Sequence, residues 1–241
     1  MARPKFPRAI LFDLDDTILS AHGNQGDAWR EVLSGFNGHA AIADHDRLHD
    51  HVLAAAQWFW SDAERHRIGR LDIRRARRDI VAKAFAEIEL VHEELCHAIA
   101  DAFSDHRDRA VTLFPGAVET LDRLRTEGVA LALATNGAAE GQRAKIDRFD
   151  LARRFDHILI EGEFGKGKPE PEVYLHLMAR LESGPETTWV VGDNLEWEVA
   201  APQRLGLHAI WCDAYKKGLP EGCGIKPDRI ITALPELLEP F

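Results

Sequence analysis

Two aspartates near the start of the chain have the spacing and the surroundings that phosphate chemistry requires. Asp13 and Asp15 come at the end of a nearly continuous apolar run, residues 8–14, which is typical of a central strand buried on both faces. Because side chains alternate along an extended backbone, the two carboxylates should point the same way. A carboxylate is already ionised at neutral pH, so Asp13 could attack phosphorus without a base. Asp15 could then protonate the leaving alkoxide and later deprotonate the attacking water.

A divalent cation is expected beside these carboxylates. A phosphate dianion would be repelled by Asp13 unless a cation bridged the two charges, which implies Mg²⁺ held by oxygen ligands. Asp193 follows another apolar run, residues 189–191, and could complete the metal shell opposite Asp13. In the same segment, Glu198 and Asn194 could act through a water molecule or by orienting a neighbour.

Two further segments could bind the phosphate group. Thr135, Asn136 and Gly137 follow the apolar run 129–134, and their hydroxyl, amide and backbone N–H groups could hold phosphate oxygens without adding charge. Taken alone, Asn-Gly is first of all a turn signal. Lys168, directly before Pro169, could offset the charge of nucleophile and phosphate together, although most lysines are solvated surface groups.

The elements that must position these residues alternate along the chain. Strand-like apolar runs are separated by helix-like or turn-rich stretches, and they cover residues 8–14, 129–134, 157–160, 189–191 and 208–211. This alternation predicts an α/β fold with a Rossmann-like, doubly wound parallel sheet. We assign residues 1–22 and 110–241 to this core. In such sheets ligands bind at the carboxyl ends of the strands, where all the segments above are expected to lie.

Between the first two strands, the sequence has no strand-like run and shows successive helical periodicities. It predicts an inserted all-helical domain, residues 23–109, built from four antiparallel helices. The expected buried positions, helix by helix, are Ala28, Val32, Leu33 and Phe36; Leu48, Val52, Ala55 and Phe59; Ile73, Ala76, Ile80, Ala84 and Ile88; and Leu95, Ile99 and Phe103. Short connections near residues 20–26 and 107–113 should allow this lid to open and close.

In their order and at these strand ends, the motifs resemble those of the haloacid dehalogenase superfamily. The resemblance covers residues 8–22 and 111–234. It implies a phosphatase-type hydrolase with a helical C1 cap. It also implies these roles: nucleophile Asp13, acid and base Asp15, phosphate binder Thr135, charge-stabilising lysine Lys168, and Mg²⁺ ligands Asp13, Asp193 and the backbone carbonyl of Asp15. Glu198 departs from the family pattern, in which an aspartate is common at this position.

The function expected from these residues is Mg²⁺-dependent hydrolysis of a small phosphorylated metabolite through an aspartyl phosphate. Three alternatives stay open. A phosphoryl mutase would share the Asp15 position. A haloacid dehalogenase would lack an aspartate at this position, because a leaving halide needs no acid. A phosphometabolite-binding protein without turnover would keep the site, and only Glu198 favours that alternative.

One dense basic run stands out in the inserted region. It consists of Arg65, Arg67, Arg70, Arg74, Arg75, Arg77 and Arg78. The simpler interpretation is a solvated helix face. The alternative is that Arg67 or Arg70 reaches the leaving group of the substrate, or steers anions inward. The shape of the cap should set the identity of the substrate, which the sequence leaves open.

Composition excludes several classes of partner. With 30 Lys and Arg against 40 Asp and Glu, the formal net charge of −10 argues against general binding to nucleic acid or an anionic membrane. The start of the chain is short and basic, and no run reaches the ~18 apolar residues of a membrane helix, so we expect a protein that is not exported. Three cysteines without a Cys-x-x-Cys pair favour a reducing, cytoplasmic location. The partner is then a small phosphate ester, and the oligomeric state stays open.

Overall fold

The computed structural model describes residues 6–21 and 23–240. It divides into two compact units: a core unit, Met1–Ser20 with Thr112–Phe241, and a helical unit, Ala21–Val111. The predicted insertion, residues 23–109, lies within the helical unit. Residues 1–5 lie outside the described residues, and the expectation of no export signal concerns them. His22, in the predicted connection 20–26, also lies outside the described residues.

The core unit is built on a parallel sheet. The strands of the described residues are β1 Ala9–Phe12, β2 Leu19–Ser20, β3 Thr112–Leu113, β4 Ala130–Thr135, β5 His157–Ile160, β6 Thr188–Gly192, β7 His208–Cys212 and β8 Arg229–Ile231. Six of them form one sheet in the order β5-β4-β1-β6-β7-β8, and every neighbouring pair is parallel. This confirms the predicted α/β fold with a Rossmann-like sheet.

The strand order reverses at β1, which lies in the middle of the sheet between β4 and β6. In open α/β sheets, this reversal opens a crevice at the carboxyl ends of the strands, where ligands bind. Asp13 directly follows β1, and its N–H donates to the carbonyl oxygen of Val191 on β6 at 2.9 Å. The backbone of Asp13 is therefore held by the sheet ladder one residue beyond the strand, at the reversal point.

The helices of the described residues cover the sheet or build the helical unit. They are α1 Gln25–Ser34, α2 His45–Ser61, α3 Ala63–Gly69, α4 Ile73–Glu87, α5 Glu93–Ala110, α6 Ala117–Thr126, α7 Ala139–Arg148, α8 Glu161–Phe164, α9 Pro171–Arg180 and α10 Ala201–Arg204. Pro171 opens α9, as expected from its fixed φ. Val173, Tyr174 and Leu177 of α9 belong to the same buried cluster as Leu11 of β1. No helix among the described residues has both the length and the apolar character needed to cross a membrane.

A small hairpin follows the first acidic segment. β2 pairs antiparallel with β3, and two residues per strand are too few for a sequence pattern to reveal. Asp16 enters the hairpin with φ of 61°, in the left-handed region that non-glycine residues seldom adopt. Its Oδ1 accepts a hydrogen bond from the hydroxyl of Tyr215 at 3.0 Å. The loop after β7 therefore fixes the backbone just beyond Asp15.

The helical unit contains five helices among its described residues, so the prediction of four was wrong by one. Asp62 ends α2 and also caps α3, accepting a hydrogen bond from the N–H of Arg65 at 2.8 Å. The short helix α3 is polar along most of its length and has no apolar period, which is why it left no periodic signal. Gly69 closes it against α2, where an added Cβ would lie 2.6 Å from the ring of Phe59.

The helical unit has its own core. Of the predicted positions, Phe36 and Ile88 are partly buried against the same cluster, Ile73 is half-buried outside it, and the others are buried. Its centre is a stacked pair, Trp29 of α1 on Phe103 of α5, with ring centroids 3.5 Å apart and planes inclined by 2°. Trp29 is 1% exposed. This pair joins the first and last helices of the unit.

Truncating the stacked pair should destabilise the helical unit. In Trp29→Ala, the free energy of unfolding of this unit should fall by about 3–5 kcal/mol, because a large buried ring leaves a cavity. Trp58→Ala is the matched control, since Trp58 is 42% exposed and its ring lies 3.9 Å from the Arg65 guanidinium and 4.9 Å from the Lys83 ammonium. That variant should lose about 1 kcal/mol or less. Denaturant unfolding followed by circular dichroism measures both, and equal losses would contradict this packing.

Candidate active site

Asp13 has two carboxylate oxygens in different surroundings. The residue is 8% exposed, and its Oδ1 lies 2.6 Å from Nζ of Lys168. Its Oδ2 is buried and has no hydrogen-bond partner among the described residues. Burial raises the pKa of Asp13 above its ordinary value of 3.8, although Lys168 opposes this shift. A buried carboxylate oxygen without a partner calls for a cation or a donor from outside the chain.

Lys168 is the positive centre of the site. Its side chain is buried between two carboxylates, with Nζ 2.6 Å from Asp13 and 2.7 Å from Oε1 of Glu198. Burial by itself lowers the pKa of Lys168, but the charges of Asp13 and Glu198 outweigh it and raise the pKa above the ordinary value. The lysine therefore stays charged and screens both carboxylates. This agrees with the charge-offsetting role predicted for Lys168 from the sequence.

The backbone of Lys168 is clamped by Asn136. The Asn136 side chain donates from Nδ2 to the Lys168 carbonyl at 2.7 Å and accepts from the Lys168 N–H at 2.8 Å. A Cβ on the preceding residue, Gly167, would lie 2.5 Å from the carboxyl carbon of Glu161, so glycine leaves room here for the Glu161 side chain. Glu161 in turn accepts from the N–H of Gly137 at 2.9 Å. Asn136 and Gly137, which we expected to bind phosphate, thus use their side-chain amide and backbone N–H groups to hold the lysine loop.

Asp15 is held by two residues of α7 that the sequence analysis missed. Lys145 places its Nζ 2.8 Å from both carboxylate oxygens of Asp15. Gln142 donates from Nε2 to Asp15 Oδ2 at 3.0 Å, and the same nitrogen also bonds to Oγ1 of Thr135. Gln142 and Lys145 are three positions apart, so they share a helix face. That spacing, directly after Thr135-Asn136-Gly137, is the signal that could have identified them.

Asp193 follows β6, the neighbour of β1, and adds a third carboxyl group to the site. Burial, the charge of Asp13 and then that of Glu198 raise the pKa of Asp193 to about 9. Burial also raises the pKa of Glu198 to about 7, with Lys168 acting in the opposite direction. One lysine thus faces three buried or half-buried carboxyl groups. The excess negative charge favours a bound cation.

The donors present suit magnesium. Among the described residues, no three side chains of His, Cys, Asp or Glu are arranged as a metal cluster. Magnesium does not need one, since it keeps several waters and is commonly held by one or two carboxylates. Asp13 Oδ2, the Asp193 carboxylate and the Asp15 carbonyl are all hard oxygen donors. Oxygen donors of this kind fit Mg²⁺ better than zinc, which is commonly held by nitrogen and sulfur ligands.

Glu198, the departure from the family pattern, has a defined place. Its carboxylate pairs with Lys168, and its Oε2 accepts from the Asn194 N–H at 2.9 Å. The Asn194 side chain caps the following π-helical turn, Leu195–Ala200, on which Glu198 lies. A Cβ on Gly192 would fall 2.0 Å from Cγ of Glu198, so only glycine leaves room for this longer side chain. Glu198 and Asn194 therefore support Lys168 and shape the loop after β6.

The basic run of the helical unit is largely paired within that unit. Arg74 and Arg78 bond to acidic residues of α5, Asp105 and Asp101 respectively, each at 2.7 Å. Arg67 forms a two-bond pair with Glu64 of its own helix at 2.9 and 2.7 Å, and Arg70 ends α3. These contacts agree with an ion-paired helix surface. A role of Arg67 or Arg70 in substrate choice stays a prediction.

Comparison with known proteins identifies the family. A model of the haloacid dehalogenase-like hydrolases matches residues 7–206, which is most of the chain. This chain belongs to that family. Glyceraldehyde 3-phosphate phosphatase of Pyrococcus furiosus is 25% identical over 239 residues, which cover 96% of this chain and 92% of that enzyme.

Other relatives of this hydrolase agree with its fold and type. Phosphoserine phosphatase of Thermus thermophilus is 37% identical over 145 residues, 60% of this chain and only 57% of that enzyme. The magnesium-bound crystal structure of YfnB, a HAD-hydrolase from Bacillus subtilis, has a TM-score of 0.73 at 22% identity and covers 97% of both chains. That likeness establishes the fold. Together with the curated phosphatases, the family match makes this chain a phosphatase-type haloacid dehalogenase-like hydrolase.

The charge excess at the site predicts how stability depends on pH. Because the folded-state pKa of Asp193, about 9, lies above its ordinary value of 3.8, proton binding to Asp193 stabilises the folded protein. This stabilisation is complete below about pH 4 and is lost as the pH rises through about 9. The Tm of the metal-free protein should therefore fall from about pH 5 to about pH 9, and the slope should be smaller in Asp193→Asn.

Added Mg²⁺ provides the second half of this test. It should raise the Tm more at about pH 9 than at about pH 5, because ligation requires deprotonated carboxylates. Asp147→Asn, on the exposed side of α7, is the matched control and should keep the wild-type slope. Identical pH profiles for Asp193→Asn and wild type would show that this carboxyl is not part of the charge cluster.

Proposed function

We propose that this hydrolase is a Mg²⁺-dependent phosphomonoesterase that cleaves a small phosphorylated metabolite through an aspartyl phosphate on Asp13. The observation that carries the proposal is the asymmetry of the Asp13 carboxylate. Lys168 holds one oxygen at 2.6 Å, and the other is buried without a partner among the described residues. The lysine contact fixes the direction of the carboxylate, and the partnerless oxygen is open to a group from outside the chain, as a nucleophile beside a metal ion requires.

The residues of the chain can carry both half-reactions. In the first, an oxygen of Asp13 bonds to phosphorus while the bond from phosphorus to the leaving oxygen breaks, and Asp15 gives that oxygen a proton. In the second, water attacks the aspartyl phosphate, Asp15 takes the proton, and the Asp13 carboxylate is released with inorganic phosphate. Magnesium, when bound by Asp13, Asp193 and the Asp15 carbonyl, would offset the repulsion between carboxylate and phosphate.

Two residues around Asp13 would bind the transferred phosphoryl group. Thr135 ends β4, next to β1 in the sheet, and its buried hydroxyl can contact phosphate oxygens without adding charge. Lys168 brings a buried ammonium group to the same carboxylate that attacks. Because the site is shielded from water, both interactions should stabilise the phosphoryl group more strongly than the same contacts would at the surface.

The substrate proposed is a small, soluble phosphate ester. Two of the relatives are named for phosphoserine and glyceraldehyde 3-phosphate, both of which carry one phosphate on a short carbon skeleton. We further propose that the helical unit acts as a cap that selects the leaving group, with Arg67 and Arg70 as residues to test. We also propose a cytoplasmic location, which three cysteines without a Cys-x-x-Cys pair favour.

The alternatives are weighed by the surroundings of Asp15 and Glu198. A leaving halide requires no proton, so the contacts that hold Asp15 favour phosphate chemistry over dehalogenation. A mutase would keep the same residues but would transfer the phosphoryl group to a second hydroxyl instead of water. A binding protein without turnover is less well supported, because Glu198 leaves the pair of Lys168 with Asp13 intact.

Phosphate release from a panel of phosphorylated metabolites tests the proposal. Release should require Mg²⁺ and stop with a chelator. Asp13→Asn should lower kcat by about 10³-fold or more, because the nucleophile is lost. Asp15→Asn should lower it by about 10²- to 10⁴-fold for alkyl esters, because proton transfer is lost. Asp147→Asn serves as the matched surface control and should keep wild-type turnover.

Two outcomes would overturn the proposal. Unchanged turnover in Asp13→Asn would exclude the covalent mechanism. Halide release from a 2-haloacid, without phosphate release from any ester, would assign the chain to the dehalogenases instead.

A further inference from the structure

Two side chains of α7, which the mechanism above does not use, converge on Asp15. The ammonium group of Lys145 lies at the same distance, 2.8 Å, from both Asp15 oxygens. Gln142 is 5% exposed and donates to Asp15 Oδ2 at 3.0 Å. Neither interaction is local in sequence, because α7 begins more than a hundred residues after Asp15. The fold itself brings this helix face to the acidic loop.

Gln142 also connects Asp15 to Thr135. A single nitrogen atom, Nε2 of Gln142, bonds to Oδ2 of Asp15 and to Oγ1 of Thr135. The Asp15 carboxylate, which would act as acid and base, therefore shares this nitrogen with the Thr135 hydroxyl, which would bind phosphate. Since only Ala138 separates the segment 135–137 from α7, the first turn of α7 is tied to Thr135 through Gln142. A shift of α7 would move both groups together.

Stability alone does not account for this arrangement. Ion pairs near the surface contribute little to stability. A second pair on the same helix, Arg143 with Glu163 at 2.6 Å, is of this ordinary kind. The group that Lys145 and Gln142 hold is instead the carboxylate that must meet a leaving oxygen. Two donors on one carboxylate remove its rotational freedom, and catalysis depends on such restriction.

We infer that Lys145 and Gln142 are positioning residues, which hold the Asp15 carboxylate beside the Thr135 hydroxyl so that it faces the leaving oxygen of the ester. The inference rests on the proposed function. It predicts a defect that depends on the leaving group. An alkoxide must be protonated as it departs, whereas 4-nitrophenolate is stable enough to leave without a proton. Because kcat/KM reports the steps up to phosphoryl transfer to Asp13, it isolates this half-reaction.

The experiment compares the best alkyl phosphate from the metabolite panel with 4-nitrophenyl phosphate. In Lys145→Met and in Gln142→Leu, kcat/KM for the alkyl ester should fall by about 30-fold, while that for the aryl ester should fall by about 3-fold or less. Lys145→Arg should recover part of the loss, because a cation again reaches Asp15. Arg143→Met is the matched control on α7, and it should keep the wild-type ratio between the two esters.

A double-mutant cycle with Asp15→Asn makes the test specific. If Lys145 acts only through Asp15, adding Lys145→Met to Asp15→Asn should change kcat/KM for the alkyl ester by less than about 3-fold. Losses that multiply in the double variant would show that Lys145 acts directly on the substrate and would overturn the inference. Equal losses for both esters in Lys145→Met would overturn it as well.

A readout independent of turnover is the crystal structure of Lys145→Met. The Asp15 side chain should then occupy more than one rotamer, and a single unchanged rotamer would contradict the positioning role. The proposed function is judged separately, by wild-type activity. If the wild-type protein released phosphate from neither ester with Mg²⁺ present, the proposed function would fail and the positioning role with it. If wild type were active and the variants lacked the leaving-group effect, only the positioning role would fail.

Discussion

The site depends on a charge imbalance in a place that water hardly reaches. A single buried lysine, Lys168, faces Asp13 and Glu198 directly, and Asp193 lies close enough for its pKa to rise to about 9. Removing unpaired charges from water costs several kcal/mol per ion, so the folded chain needs a further cation or a proton. The surrounding features make this cluster possible, since Asn136 clamps the lysine backbone and two glycines leave space for the carboxylates. A bound divalent cation would supply the missing positive charge.

Much of this arrangement could be predicted because it follows from local pattern. The buried run that becomes β1 has apolar side chains on both faces, so the sequence predicts a strand in the centre of the sheet. Asp13, Thr135 and Asp193 each come at the end of such a run, and parallel strands bring those ends to one edge. Helical periodicity likewise predicted the four longer helices of the helical unit. These patterns repeat over many residues, so the elements that they encode can be recognised in the sequence.

The parts that could not be predicted depend on single contacts or on very short elements. The strands β2, β3 and β8 have two or three residues each, and α3 is a polar helix held by the cap at Asp62. The side-chain amide of Asn136 bonds to the backbone of Lys168, a contact that no sequence pattern reveals, and the predicted phosphate contact of Asn136 stays a prediction. Gln142 and Lys145 reach Asp15 only because the fold stacks α7 against the acidic loop. Their spacing of three marks a shared helix face, but it does not reveal that their partner is Asp15, which lies more than a hundred residues away.

The central claim is that Asp13, with one oxygen held by Lys168, becomes phosphorylated during turnover. The most direct test is to mix the magnesium-loaded enzyme with a radiolabelled phosphate ester, quench with acid within the first turnover and map the labelled peptide. We expect label on the peptide that contains Asp13, dependent on magnesium and absent from Asp13→Asn. Product formation without a labelled protein, or label on another residue, would contradict it.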